Sequence, residues 1–460
     1  MLEPDRDRSS RRKIIKATGA SLIGTTLAGC QSLDQGSSAE ANPDQTPASD
    51  VSDDALAGET LTIGGMYPLP NDYVIGRDAA RGTELAVREA NRSENGILGA
   101  DAEHLVGDTN ISPATARQVT EKFIIEEDAD VINGGFLGQV YRQMLAGPIS
   151  THDTLSFFSC GASVPVGEMV RDNFDGYRMS FRSICNMRQA RNSELHFLDL
   201  WADEMGWDKI AVLTEDMEVF DAVAEPLAEG IEERGIAEVP YFQRTSQGIL
   251  DWAPLFDQAE SEDVDLLCVN LVLTGVTAAR QWGNQERDFD MGGIHLHAMA
   301  PDFWENHGGV AETLWTMNMG GFDSGQTSRM IPMMDRFEEE FGYRTSSYSC
   351  FCAYDATRMW FDAIRAVGST DPEDLIPYLE DRVWEGSVID EAQEFQGPNG
   401  DFPHDWKYKG YEGFDAWNQQ GWLPFTQWQG EKGGEANMVT VAPPKASPSD
   451  ADLQSPGWKQ

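Results

Sequence analysis

The chain has 460 residues, enough for two or more domains of ordinary size with a substantial buried core. Its 77 Asp and Glu residues against 34 Lys and Arg residues give a formal net charge of -43. Nucleic-acid binding is disfavoured, because phosphate neutralisation needs clustered Lys and Arg, which this sequence lacks. The acidic excess runs along the whole chain and indicates a solvated surface adapted to molar salt, as in halophilic archaea, where self-repulsion is largely screened.

The N-terminal segment has the features of an export signal. A twin arginine at 11–12 precedes a weakly apolar run, and Leu-Ala-Gly-Cys at 27–30 follows the pattern of a lipoprotein cleavage box. The alternative, a membrane-spanning helix, is disfavoured because the run 14–29 is shorter than the ~20 apolar residues that a span needs. We therefore predict a twin-arginine lipoprotein signal peptide over 1–29, with lipidation of Cys30 and anchoring to a membrane after export.

Two further segments are too polar to bury a core. Residues 30–58 contain no aromatic side chain and are rich in Ser, Asp, Ala and Pro, which predicts a flexible acidic tether. Residues 430–460 are poor in apolar side chains and contain four prolines, which predicts a disordered tail.

Five cysteines follow Cys30, and the odd number argues against a full disulfide framework. Cys350 and Cys352 are interpreted as small buried residues.

Between these segments, short apolar runs alternate with amphipathic patterns. Alternation of this kind predicts an α/β protein with parallel sheets and helices on both faces, and two such series predict two lobes. In chain order the predicted elements are strand 60–66, a helix over about 79–90, a helix opened by Ser112 and Pro113, strand 131–133, a helix from about 139, strand 155–159, helix 192–205, strand 209–214, helix 221–234, strand 265–270, a helix around 277–282 and strand 294–298.

Several motifs have an order and spacing that is typical of one family. They are TIGGMYPL at 62–69, NGILG at 95–99, Asp108 at the end of a strand, AYDA at 353–356, GSTDPE at 368–373 and FQGPNG at 395–400. With these motifs, residues 59–429 resemble the type I periplasmic-binding-protein family, specifically the branched-chain amino-acid and amide group of ABC-transporter receptors.

The resemblance implies a fold of two doubly wound parallel-sheet lobes joined by three hinge crossovers. The first lobe would comprise 59–182 and 315–381, and the second 183–314 and 382–429. The ligand of such a protein lies between the lobes at the carboxyl ends of the strands, where open parallel sheets bind ligands in general.

The resemblance also implies candidate ligand-binding residues in the first lobe. In family proteins, two of its loops hold the ligand carboxylate with backbone N–H groups and a hydroxyl, which helix N-termini favour for anions. Gly138 and Gln139 stand where a hydroxyl residue is common in the amino-acid binders. The other candidates are the tyrosines Tyr67 and Tyr73 as apolar walls and the loop residues Gly161, Ala162 and Ser163.

The second lobe would supply the partner of a ligand ammonium group, because a desolvated unpaired charge is costly. Asp302 or Asp216 is the candidate carboxylate, and Phe220 and Asn270 lie in loops at the same edge of the second series. His295 and His297 alternate on a predicted strand, but no third ligand accompanies them, so no metal site is predicted.

The sequence contains no Walker A motif, HExxH or nucleophile elbow, so neither enzyme activity nor a cofactor is predicted. The leading interpretation is an extracellular, lipid-anchored and monomeric receptor. It would capture a branched-chain or related amino acid by lobe closure and deliver it to ABC permease subunits. One alternative is a urea or short-amide binder of the same transporter class. Another is an extracellular ligand-sensing domain for a signalling partner.

Overall fold

The computed structural model describes residues 51–407, 413–431, 433–447 and 451–459. The predicted signal peptide, Cys30 and most of the predicted tether lie outside these residues. Of the tether only 51–58 is described, and there the Leu56 N–H donates a 2.8 Å hydrogen bond to the carbonyl of Leu98. No helix in the described part of the chain is long and apolar enough to cross a bilayer.

Strands and helices alternate through the described chain, as the sequence predicts. The strands are β1 (Thr60–Tyr67), β2 (Asp101–Asp108), β3 (Val131–Gly134), β4 (Leu155–Phe158), β5 (Ser180–Phe181), β6 (Ile210–Glu215), β7 (Phe242–Thr245), β8 (Leu266–Leu271), β9 (Asp290–His295), β10 (Trp315–Met317), β11 (Phe425–Gly430) and β12 (Ala436–Ala442). The helices are α1 (Val74–Arg92), α2 (Pro113–Ile125), α3 (Gly138–Met144), α4 (Val164–Asp172), α5 (Phe174–Tyr177), α6 (Met187–Met205), α7 (Ala224–Arg234), α8 (Ala253–Ser261), α9 (Gly275–Gln285), α10 (Phe303–Asn306), α11 (Met330–Phe341), α12 (Tyr348–Val367), α13 (Pro372–Asp381) and α14 (Phe414–Gln420).

The first sheet contains five parallel strands in the order β2-β1-β3-β4-β5. Successive strand residues point to opposite faces. Gly64 abuts Phe123 of α2, whereas Tyr67, three residues on, bonds to Thr83 of α1, so helices cover both faces. Ser112 caps α2 as predicted, since its hydroxyl accepts the N–H of Thr115.

Helix α1 packs along α12 at unusually short range. A Cβ added at Gly82 would stand 2.3 Å from the carbonyl oxygen of Cys350, so only glycine allows this approach. Cys350 and Cys352 are both fully buried there, in agreement with their interpretation as small core residues. The contact joins the late helices α11, α12 and α13 to the first sheet, and these elements together form the first lobe.

The second sheet has seven strands in the order β12-β11-β10-β9-β8-β6-β7. Strands β6 to β10 are parallel, while β11 pairs antiparallel with both β10 and β12. All residues of β6, β8 and β9 are buried, as in strands covered on both faces. With α6 to α10 and α14 this sheet forms the second lobe, and the predicted two-lobed α/β class is confirmed.

The chain crosses between the sheets three times, after β5, after β10 and before β11. Two of the predicted lobe boundaries are corrected. Trp315 opens β10 and belongs to the second sheet, not to the first lobe. Residues 384–407 lie within the segment 382–429 that was predicted for the second lobe. Their Asp405, however, forms a buried ion pair at 2.9 Å with Arg182, the residue directly after β5 of the first sheet. Ser387 likewise donates a 2.6 Å hydrogen bond to Asp355 of α12.

The predicted disordered tail is also wrong for the described residues beyond Gly430. Residues 436–442 form β12 on the edge of the second sheet. Farther on, Trp458 packs edge to face on Trp282 at 5.1 Å, and the Lys459 ammonium lies 3.0 Å from the Asp290 carboxylate. Long-range strand pairing therefore orders a segment whose composition alone is typical of a tail.

Candidate functional site

A cavity of about 600 Å³, counted with its opening to solvent, lies between the carboxyl ends of the two sheets. The loops after β3 and β4 supply one wall, the loops after β6, β8 and β9 supply the other, and the first two crossovers close the base. The lining residues are Phe136, Leu137, Cys160, Gly161, Ala162, Ile184, Cys185, Met187, Val219, Phe220, Val272, Ile294, Leu296, Met299, Met317, Asn318, Met319 and Tyr348.

The wall of this cavity is apolar and uncharged: none of its described lining residues is Asp, Glu, Lys, Arg or His. Its hydroxyl and its amide side chain are already bonded within the protein. The Tyr348 hydroxyl donates to the carbonyl of Cys160 at 2.9 Å, and the Asn318 amide donates to the carbonyl of Ser346 at 3.1 Å. Burial raises the pKa of the Cys160 and Cys185 thiols to about 12, so both remain neutral at physiological pH.

Beside the cavity, the two loops of the first sheet meet at Gly138 and Ser163. A Cβ at Gly138 would lie 2.1 Å from the Ser163 hydroxyl oxygen, so a larger residue at 138 would displace that side chain. Ser163 is 1% exposed, and its hydroxyl has no hydrogen-bond partner although the residue stands at the N-cap of α4. A buried hydroxyl without a partner is costly, and a ligand atom could satisfy it.

An ion pair crosses between the lobes at this end of the cavity. Arg142 of α3 donates two hydrogen bonds, of 2.9 and 2.8 Å, to the carboxylate of Glu218 in the loop after β6. Val219 and Phe220, which follow Glu218, line the cavity itself. Tyr73 makes a second contact between the lobes, with its ring 5.9 Å from Phe136 and 6.4 Å from His297. These contacts hold the loops of the two lobes together over the cavity.

Two acidic side chains at the end of β6 are committed to partners within the protein. Glu215 is fully buried and accepts three backbone N–H groups at the start of α9, from Val272, Leu273 and Thr274, at 2.8 to 3.0 Å. The Asp216 side chain is 69% exposed and pairs with Arg244. Asp216 is therefore a surface residue, and the expectation that it meets a ligand ammonium is corrected.

Asp302 faces the first lobe from outside the cavity lining. Burial lowers the pKa of the Arg77 guanidinium. The negative charge of Asp78 raises this pKa, and that of Asp302 in the second lobe adds a smaller increase. Asp302 itself does not line the cavity, so the structure does not bring it to the position expected for the partner of a ligand ammonium.

The structure places the other sequence-predicted residues in four kinds of position. Gly161, Ala162 and Phe220 line the cavity, and Tyr73, Gly138 and Ser163 lie beside it. Asn270 is buried at the end of β8, where its amide donates to Thr214, while its side-chain oxygen has no partner. Gln139 is exposed.

The expectation for Tyr67 as a wall of the cleft is wrong. Its side chain is fully buried in the first lobe, where the hydroxyl donates to Thr83 at 2.7 Å and lies 3.1 Å from His104 Nε2. The residue ends β1 on the face covered by α1, so it points into the core.

Sequence reasoning missed the residues that the crossovers contribute. Ile184, Cys185 and Met187 follow β5. Met317 ends β10, and Asn318 and Met319 follow it. A run of apolar residues at a crossover looks the same in sequence whether it packs in a core or faces a cavity. The signal available was the concentration of methionine, a flexible residue that adapts to varied ligand shapes.

His295 and His297 do not form a metal pair. Strand β9 ends at His295, whose ring is held by the Gly275 carbonyl and the Ala298 N–H at 3.0 and 3.1 Å. Burial and the nearby His297 lower the pKa of His295 to about 3, and burial and His307 lower that of His297 to about 4. Both rings are therefore neutral, and no cluster of three metal-ligating side chains exists among the described residues.

Solved structures similar to this one are solute-binding proteins of ABC transporters. A putative branched-chain amino acid ABC transporter protein from Silicibacter pomeroyi has a TM-score of 0.71 at 18% identity, covering 87% of this chain and 100% of its own. The substrate-binding protein LivJ from Streptococcus pneumoniae, in complex with isoleucine, has a TM-score of 0.64 at 13% identity, covering 83% and 100%. A solute-binding protein from R. palustris, in complex with 4-hydroxybenzoate, has a TM-score of 0.65 at 16% identity, covering 82% and 95%.

Comparison with curated protein sequences found no match. The sequence profile described as periplasmic binding protein matches residues 60–407, which is most of the chain. The fold agrees with that match, because two parallel-sheet lobes with three crossovers enclose a cavity at their facing strand ends. The chain therefore belongs to the periplasmic binding protein family and has its type I, two-lobed fold.

Proposed function

We propose that this chain is the receptor of an ABC importer and captures a small organic solute between its lobes. The observation that carries the proposal is the uncharged cavity, to which both lobes and two crossovers contribute. A solute that touches both walls stabilises only the closed state, so binding and lobe closure are coupled. Permease subunits in the membrane would then receive the solute from the closed receptor.

The apolar wall favours a solute with a compact hydrophobic body. The side chain of a branched-chain or related amino acid, to which the sequence resemblance points, meets this requirement, and so does the body of an apolar carboxylate. Urea fits less well, because its amide groups would lose their hydrogen bonds to water against such a wall. Within this proposal, twin-arginine export and lipidation of Cys30 place the receptor at the outer face of the membrane, where a monomer can meet its permease.

Thermal unfolding with a panel of solutes tests this function. Leucine, isoleucine, benzoate, urea and short amides would be added to the purified protein in molar KCl. A solute at about 100 times its dissociation constant should stabilise the fold by ~2.7 kcal/mol, which is a readily measured shift. If no small solute stabilises well-folded protein, the receptor function is refuted.

A matched pair of variants places the binding event in the cavity. Ala162→Phe adds a ring to a lining residue and should abolish the shift. Val383→Phe adds the same ring at a side chain that is 43% exposed and outside the lining, and it should leave the shift intact.

To separate importer from sensor, cells that lack the protein would be assayed for uptake of the solute. Normal uptake with a lost response to the solute would favour the sensor.

A further inference from the structure

We propose that the solute of this receptor carries no ammonium group, so that it is an apolar carboxylate or a neutral compound and not an α-amino acid. This inference rests on the proposed receptor function and specifies its ligand class. The fold leaves the question open, since its neighbours include proteins with isoleucine and with 4-hydroxybenzoate.

None of the described side chains that line the cavity is an anion that could replace the water around a cation. Moving an ammonium ion into an apolar site without a paired anion costs several kcal/mol. The polar side-chain groups in the described lining are the Asn318 amide, the Tyr348 hydroxyl and two thiols. The amide and the hydroxyl donate hydrogen bonds to carbonyls within the protein.

Three carboxylates at the end of β6 and in the loop after it are engaged elsewhere, and Asp302 lies outside the cavity lining. Glu215 is saturated by three backbone N–H groups, and Asp216 is exposed beside Arg244. Glu218 lies within 3.3 Å of the position of a Cβ at Gly138, and both of its oxygens accept from Arg142. Recruiting Glu218 to an ammonium would leave the arginine without its bidentate partner.

The unsatisfied hydroxyl of Ser163 beside the cavity also disfavours a cation. Ser163 is buried without a hydrogen-bond partner and directly precedes α4, a helix of nine residues. The N-terminus of a helix carries a partial positive charge, which attracts a carboxylate or a carbonyl oxygen and repels an ammonium. The hydroxyl can donate to such an oxygen.

Matched ligand pairs that differ only in the amino group test the proposal. The dissociation constants of leucine and 4-methylpentanoate, and of phenylalanine and 3-phenylpropanoate, would be measured by calorimetry on the wild-type protein. We expect the deaminated member to bind at least about tenfold more tightly, a difference of ~1.4 kcal/mol. Amino acids that bind equally well or better would overturn the proposal while leaving the receptor function standing. Another solute of the panel can bind when neither member of any pair does. A solute with an ammonium group then overturns the proposal, and a solute without one supports it.

A variant that restores an anion supplies an independent test. Val219 lines the cavity and is only half-buried, so Val219→Asp should be tolerated by the fold. This change should shift the affinity ratio about tenfold towards leucine, because the new carboxylate pairs with the ammonium. The control Val219→Asn has the same shape without the charge and should not shift it. An unchanged ratio in a well-folded Val219→Asp protein would contradict the inference.

Discussion

At the scale of single residues, Ser163 is the clearest link between sequence and site. Its hydroxyl is buried, has no partner and lies against Gly138. Ser163→Ala should weaken solute binding about tenfold, because one hydrogen bond to the ligand is worth roughly 0.5 to 1.5 kcal/mol. The fold should keep its thermal stability, since the unliganded protein loses no hydrogen bond. Calorimetric titration and thermal unfolding of the same variant measure the two effects.

Ser159→Ala is the matched control for this prediction. Ser159 is equally buried in the same loop after β4, but its hydroxyl donates a 2.6 Å hydrogen bond to Asn133. Its loss should cost about 1 to 3 kcal/mol of stability, because the Asn133 oxygen is left without that donor. If Ser163→Ala were the more destabilising of the two, Ser163 would be a structural residue and not a ligand contact.

At the scale of strands and helices, the predictions from sequence succeed where the signal is local. Ser112 and Pro113 mark the start of α2 by capping chemistry, and the alternation of apolar runs with amphipathic ones predicts the two parallel sheets. Tyr67 was misplaced because the end of a strand does not reveal which sheet face its last side chain occupies. The lining by Met317 and Met319 depends on the path of a crossover, which no local pattern encodes.

The C-terminal segment shows the same limit at the level of an element. Strand β12 is ordered by antiparallel pairing with β11, and Trp458 then closes over Trp282. Trp458→Ala should lower the free energy of unfolding by about 3 kcal/mol, because it removes a large aromatic contact and the hydrogen bond to the Arg287 carbonyl. Chemical denaturation measures this loss.

The conservative variant separates the two contributions at this position. Trp458→Phe keeps a ring against Trp282 but loses the 2.9 Å hydrogen bond to Arg287, so it should cost only about 1 kcal/mol. Two variants with wild-type stability would mean that the segment beyond β12 does not contribute to the fold.

At the scale of the whole molecule, the contacts between the lobes must be weighed against a net charge of -43. Like charges on both lobes favour their separation, and the Arg142–Glu218 pair opposes it. The side chains of the pair are 26% and 39% exposed, so its contribution is at most about 1 kcal/mol and is sensitive to salt. Solute binding must supply the rest of the free energy of closure.

Glu218→Gln should therefore open the ligand-free protein at low ionic strength. Small-angle X-ray scattering should detect a larger radius of gyration than in the wild type at 0.1 M salt. The difference should vanish near 1 M, where the Debye length falls to ~3 Å and the ion pair loses most of its attraction. The control Asp257→Asn also removes one negative charge, but its partner Arg287 lies in the same lobe, so the radius should not change. Equal radii for Glu218→Gln and the wild type at low salt would show that the pair does not hold the lobes, and closure would then depend on the solute alone.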